Sequence, residues 1–531
     1  MFDYLIIGAG SAGCVLAARL SEDPDIQVAL LEAGGTDQSA LIHCPAGQAV
    51  MARTGQANWQ FKTVPQAGLN GRHGYQPRGK VLGGSSSLNA MIYTRGHRAD
   101  FDHWAAQGNP GWAYDDVLPY FKRAEDNARG ADDFHGVGGP LHVMDLSQPN
   151  RFGPVFVQAC LQAGFGDNHD FNGESQEGVG LYQVTHKNGE RCSAAKAYLT
   201  PHLSRPNLRV FTGAHVIRLL LERKRAIGVE FVHEGQVKQL HAKREVLLCA
   251  GALQSPQILM LSGIGAHAHL LENGIATVHD LPGVGQNLQD HPDVVLVVEA
   301  PQAKDLFGLS WAGASRVIKG IFEWRKHRTG LLTSNFAEAG GFIKSRRSEP
   351  IPDLQLHFVV AKLLNHGRTT PLGHGYACHV SLLRPRSRGS VTLDSKDPLA
   401  SPLIDPNFLG DRDDVDRLVR GFKLLRLILS QPALAQIEGG ELASSAAART
   451  DLEIEHFIRD HADSLYHPVG TCRMGDGPLD VVDASLRVRG IAGLRVVDAS
   501  VMPRIVGGGL NATVIMIAEK AADLIKATSA G

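Results

Sequence analysis

Residues 2–32 constrain the fold of this chain more than any other stretch. Tyr4-Leu5-Ile6-Ile7 is apolar throughout, the pattern of a strand buried on both faces, and Gly8-Ala9-Gly10-Ser11-Ala12-Gly13 interrupts it. Cys14 to Leu20 continues at helical spacing, and Gln27-Val-Ala-Leu-Leu-Glu32 reads as a second buried strand. Strand, glycine turn, helix and strand within about 30 residues make a βαβ unit, the opening of a doubly wound parallel sheet. The three glycines permit a tight turn and close approach of a pyrophosphate, which then rests on the helix N-terminus. Glu32 lies 22 positions beyond Gly10 at the end of the second strand, where a carboxylate accepts hydrogen bonds from a ribose 2′-hydroxyl. An acid there disfavours a 2′-phosphate, so the loop predicts FAD or NAD over NADP.

Among 531 residues, 53 basic side chains balance 54 acidic ones, leaving no overall field for nucleic acid or an anionic surface. The seven cysteines are scattered without Cys-x-x-Cys or Cys/His spacing, so neither a disulfide framework nor a structural zinc site is expected. His267 and His269 lack the partner set of a metal site, and no metal is predicted. The start Met1-Phe2-Asp3 carries no basic leader, and no apolar run reaches the ~18 residues of a membrane span. A cytoplasmic protein is expected, with contact at the inner face of the membrane left open.

Leu208 to Leu240 holds short alternating segments expected to form a small antiparallel meander, followed by a buried strand from Glu245 to Gly251 and a helix from about Gln254. Ser255 is expected as that helix's N-cap, with Pro256 in its first turn and Gly263 past its end. Leu494 to Asp498 reads as a strand and Asn511 to Lys526 as a helix. Nucleotide-type segments at both ends and in the middle imply a discontinuous domain. Residues 1–150, 190–300 and 465–531 are expected to form it, with 151–189 and 301–464 forming a substrate-binding domain. The fold class is α/β: a Rossmann-like nucleotide domain joined to an α+β, mixed-sheet part.

Gly79-Lys80-Val81-Leu82-Gly83-Gly84-Ser85-Ser86-Ser87-Leu88-Asn89 reads equally well as a flexible turn or as an anion nest. In context, however, this loop and residues 251–265 resemble the two signature segments of the glucose–methanol–choline (GMC) flavin oxidoreductases. The same order of similarity continues through GAGSAG, Gly283 to His291, Tyr466-His467-Pro468 to Gly475, Leu494 to Pro503 and Asn511 to Lys520. The likeness is greatest to bacterial alkanol and choline dehydrogenases, and it implies FAD.

The resemblance implies cofactor contacts at Gly8, Gly10, Ser11, Ala12, Gly13, Glu32, Ala33, Trp59, Arg78, Val81, Gly83, Gly84, Ser87, Asn89, Ala90 and Met91. It adds Val216 near the adenine, Ala250, Gly251, Asp498 and Ala499 along the flavin chain, and Asn511, Ala512 and Thr513 at a helix N-terminus whose dipole favours the anionic reduced flavin. Relatives that bind FAD covalently use a histidine where this chain has Leu88, so non-covalent FAD, released by acid precipitation, is expected. His467 is implied as the base that takes the hydroxyl proton, and Asn511 as a donor to the substrate oxygen, with hydride passing to flavin N5. Glu338 and Tyr466 are implied at the substrate. Ala337 replaces the aromatic that precedes this acid in choline-oxidising relatives, which weakens a cationic cage and favours a neutral primary alcohol, aliphatic or aromatic. The dehydrogenase resemblance points to a quinone-type acceptor. Choline dehydrogenase, an O2-using oxidase and a non-redox hydroxynitrile lyase are the alternatives; the intact His467/Asn511 pair argues against a flavin binder without activity. Trp311 to Arg328, apolar beside Arg316, Lys319, Arg325, Lys326 and Arg328, reads as a helix packed on the sheet or, less favoured, one resting on anionic lipid.

Overall fold

The computed structural model describes residues 1–529 except 370, 436 and 438. Two sheets organise it. In the first, Leu208–Phe211, Val28–Leu31, Phe2–Ile7, Gln236–Leu248 and Leu494–Val496 run parallel in that spatial order. Val, Leu and Ile dominate the buried centre of this sheet, at Phe2–Ile7, Val28–Leu31 and 246–248, where helices cover it. Ser11–Leu20 packs against the C-terminal helix Leu510–Ser529, and Gly251–Leu261 covers another part of the layer.

The meander is present but bounded differently. His215–Glu222, Arg225–His233 and the first half of Gln236–Leu248 pair antiparallel, whereas Leu208–Phe211 belongs to the parallel sheet. A four-residue apolar strand carries no mark of its pairing direction. Gln236–Leu248 is one strand of 13 residues serving both: its start pairs with the hairpin, its end with Phe2–Ile7. The region between Gly34 and Gly139 contains the helices Arg98–Ala106 and Tyr114–Ala124, whose Phe101, Trp104 and Phe121 are buried in the first core.

The second sheet orders Gly440–Glu441, Pro292–Glu299, Gly373–Leu382, Leu354–Val359, Ala337–Ile343 and Gly178–Leu181. All these pairings are antiparallel. Pro292–Glu299, within a stretch expected on the nucleotide side, thus lies inside this sheet. Alternation gives the sheet two faces. Val294, Leu296, Val298, Leu354, Leu356, Phe358, Cys378, Val380 and Leu382 form a dry core with Phe156 and the helix Arg412–Leu429. The opposite face looks toward the nucleotide layer, and the functional cavity lies between.

The helix expected from Gln254 begins at Gly251 (φ +81), so Ser255 is in its second turn and is not its N-cap. Pro256 removes the N–H that would have reached the Ala252 carbonyl, and Thr471 Oγ1 donates to that carbonyl instead at 2.6 Å. Ser255 Oγ bonds Asp498.

Candidate active site

A single cavity of about 1830 Å³ runs from the glycine turn to the polar face of the second sheet. Of the residues implied from sequence, Gly8, Gly10, Ser11, Ala12, Glu32, Ala33, Trp59, Arg78, Gly84, Asn89, Ala90, Met91, Val216, Ala250, Gly251, Tyr466, His467, Asp498, Ala499 and Asn511 line it. Gly13, Val81, Gly83, Ser87, Ala512, Thr513 and Glu338 do not. Most of these act from behind. A Cβ at Gly13 would stand 1.9 Å from the Gly8 carbonyl oxygen, so this glycine lets helix and strand touch. Gly83 N donates to Ala9 O, and a Cβ on Gly84 would lie 2.7 Å from Gly10 Cα. The 79–89 loop is therefore packed on the glycine turn, the built alternative to a flexible turn. Ser87 Oγ donates to Leu82 O, and Val81 bridges to Gly35. Glu338, implied at the substrate, is instead fully buried off the cavity, accepting from Asn150 N and Ser334 Oγ, and so braces the loop before Ala337.

The residues fit an FAD. Gly10 and Gly251 have open space where a Cβ would stand, as close approach of a dinucleotide requires. Glu32 accepts from Ala9 N and Gly34 N at 2.9 and 2.8 Å, and burial raises its carboxyl to about 7. Asp498, raised by burial, accepts from Gly251 N, Ser255 Oγ and Ser500, joining the helix start to the segment after the last parallel strand.

His467 sits at the other end. Its backbone N–H donates to Asp290 Oδ1 at 2.8 Å, and Asp290 also accepts from His291 N, Gln76 and Ser464. This one carboxylate fixes the whole 464–467 turn. His467 Nδ1 lies 3.0 Å from His291 Nδ1, which leaves Nε2 as the ring nitrogen free for the cavity. Burial, then the neighbouring His291, Arg78 and His357, hold the His467 imidazole well below the ordinary histidine value. Burial likewise lowers His291 to about 3. Arg78, lowered by burial to about 10, donates to the Tyr466 carbonyl. Asn511, in the first turn of the C-terminal helix, accepts from Ser11 Oγ at 2.6 Å through its amide oxygen, so its NH2 remains as a donor. Tyr466, Met91 and Phe336 all line the cavity with φ of 68°, 58° and 65°, left-handed backbone that these side chains rarely adopt.

The cavity also receives Gln355, His357 and His379, and the buried His291 stands behind His467. None of these had been assigned a role from sequence. The trace was the polar Gln355 and His357 alternating inside the apolar run LQLHFV.

A neutral buried imidazole, an amide donor and a dinucleotide cradle sharing one cavity make a flavoenzyme site, and comparison with known proteins decides the family. The N- and C-terminal profiles of the GMC oxidoreductases match residues 2–293 and 385–518. The chain is a GMC oxidoreductase. It is 47% identical over 528 residues to the alcohol dehydrogenase [acceptor] of Pseudomonas putida, covering 99% of this chain and 96% of that one. It is 44% identical over 526 residues to the oxygen-dependent choline dehydrogenase of Brucella ovis, covering 98% and 95%. Among solved structures, pyridoxine 4-oxidase from Mesorbium loti superposes with a TM-score of 0.88 at 33% identity, covering 98% and 99%. Formate oxidase of Aspergillus oryzae gives 0.91 at 28%, covering 99% and 98%.

Proposed function

We propose that this GMC oxidoreductase binds FAD non-covalently, oxidises a neutral primary alcohol to the aldehyde and passes the electrons to a quinone-type acceptor. The observation that carries the reading is His467, held neutral in the cavity with one ring nitrogen tied to His291. With His467 keeping its proton on Nδ1 and donating it to His291 Nδ1, Nε2 carries the lone pair that takes the hydroxyl proton while Asn511 donates to the same oxygen. Bound FAD supplies the hydride acceptor. Leu88 lines the cavity without a nucleophilic atom, in keeping with a cofactor that is not tethered.

Charge supports a neutral substrate. The carboxylates that line the cavity are Glu32, Glu190 and Asp498, and each is engaged by protein donors. Among the described residues none is left to face a quaternary ammonium, and Glu338 is turned away. Among the described residues, no helix is long and apolar enough to cross a membrane. We read the protein as cytoplasmic and peripheral, its apolar cavity mouth resting on the inner face of the membrane where quinones reside. The domain division proposed follows the two sheets once Pro292–Glu299 is moved to the substrate-binding side.

The test compares a medium-chain alcohol, benzyl alcohol and choline with a dye acceptor, with and without His467→Gln. The neutral alcohols should exceed choline at least tenfold in kcat/KM, and His467→Gln should lose about 10³-fold while keeping its flavin. Choline winning, or a fully active variant, would overturn the reading.

A further inference from the structure

The cavity-facing side of the second sheet is chemically divided. At one end Val297, Ala377, Val359 and Ala337 form an apolar floor. At the other, strand register places His357 opposite His379, and Gln355 and Asp293 on either side of Ser381. Directly paired residues share a face, so these polar groups form one patch beside His467, whose charge state His357 influences.

Three atoms in that patch are stranded. Gln355 Oε1, His357 Nδ1 and His379 Nε2 have no hydrogen-bond partner among the described residues, although these residues are only 1%, 8% and 8% exposed. Buried polar groups in native proteins are paired, so three unpaired atoms on cavity-lining side chains mark a place built for a polar group that enters from the cavity. The network also fixes what that is. Tyr182 Oη donates to Leu356 O at 2.6 Å, spending its one proton, and so accepts from Gln355 Nε2 at 3.3 Å. Gln355 is then left with its carbonyl oxygen as the unpaired atom beside the cavity, an acceptor. His379 Nδ1 lies 2.6 Å from Asp293 Oδ2, and Ser381 Oγ donates to Asp293 Oδ1 at 2.7 Å. A ring that keeps its proton on Nδ1 and donates it to the Asp293 carboxylate presents a lone pair at Nε2. Two acceptors therefore converge, with His357 able to take either role. No uncommitted charge accompanies them, since Asp293 is engaged and burial lowers His357 to about 3.

We propose that Gln355, His357 and His379 form a subsite for a second hydroxyl of the alcohol, so that the preferred substrate is a diol or a hydroxylated aryl carbinol. This rests on the alcohol-oxidising reading above and adds the specificity within it. The hydrocarbon body lies on the apolar floor, the reacting carbinol at His467 and the second hydroxyl donates into the patch.

The experiment measures kcat/KM for benzyl alcohol against the three hydroxybenzyl alcohols, and for 1-hexanol against hexanediols. At least one hydroxylated member should exceed its parent about tenfold or more, because the parent leaves the acceptors unpaired. The readout in Gln355→Leu, which strands no partner, is the ratio of the two values; it should collapse toward one. His357→Gln serves as a second variant should Gln355→Leu fail to fold, with retained flavin absorbance as the folding criterion. Turnover of the parents with a wild-type ratio near one overturns the subsite alone. A ratio unchanged in a flavin-loaded variant does the same. Failure of every alcohol to bleach the flavin overturns the alcohol reading and the subsite with it.

Discussion

A residue that must receive a proton at neutral pH works only if it starts without one. His467 meets that condition by burial, with a cationic guanidinium at Arg78 and two histidines nearby opposing any charge on its ring. Because the base form persists well below the ordinary histidine value of 6.5, kcat/KM for a neutral alcohol should stay level as pH falls through 6.5, dropping only at clearly lower pH. A titration of activity near 6.5 in the holoenzyme would contradict the neutral, buried ring. His291→Leu should lower kcat about 10- to 100-fold with a smaller change in KM, because the ring would keep its place through Asp290 but lose the partner that fixes its tautomer. His467 and Asn511 were legible in the sequence as motif positions. Gln355, His357 and His379 were not: each is an ordinary polar residue until register aligns neighbouring strands and alternation turns all three to one face. Glu338 shows the converse, since an acid's place in a motif does not say which way its carboxylate turns, and here Ser334 and Asn150 claim it.

Elements were read most securely where the pattern was longest. The first βαβ unit and the C-terminal helix appear where periodicity places them, because a buried strand and an amphipathic helix each repeat their pattern over several turns or residues. The helix Gly251–Leu261 shows what periodicity misses. Pro256 looks like a first-turn residue, but Thr471, 219 residues away, accepts the role of the missing N–H and lets the helix begin earlier. Thr471→Val keeps the shape and leaves the buried Ala252 carbonyl unpaired, which should cost about 1–3 kcal/mol and lower the Tm of the holoenzyme. Adding Pro256→Ala restores an N–H for that carbonyl and should recover part of the loss. Equal Tm for wild type and Thr471→Val would show that the hydroxyl has no such role.

At the scale of the molecule, the exterior around the cavity mouth carries large exposed apolar side chains. On the helix Trp311–His327 the packed side is Gly313, Gly320 and Trp324, while Trp311 is 94% and Phe322 71% exposed, with Ile318 and Ile321 beside them. Leu309 and Leu372 extend the same apolar rim, and Arg325 and Lys326 are exposed nearby. The expectation that this helix would cover its apolar side by packing on the sheet is not met, since glycines pack closely and the larger residues face outward. Such a surface suits the headgroup boundary of an anionic bilayer. The protein should sediment with vesicles containing phosphatidylglycerol and much less with pure phosphatidylcholine. Trp311→Ser with Phe322→Ser should weaken that partition at least tenfold, given about 2 kcal/mol for each large apolar side chain buried. Wild-type protein that stays in the supernatant with both compositions would rule the contact out. The closing of the first core has a separate consequence for how the chain matures. Ser11 meets Asn511, and Glu519 lies buried between Arg19, Arg123 and Tyr198. A nascent polypeptide therefore carries an unfinished nucleotide fold until residues 510–529 have left the ribosome, because the two sides of the cradle at Ser11 and Asn511 lie 500 residues apart.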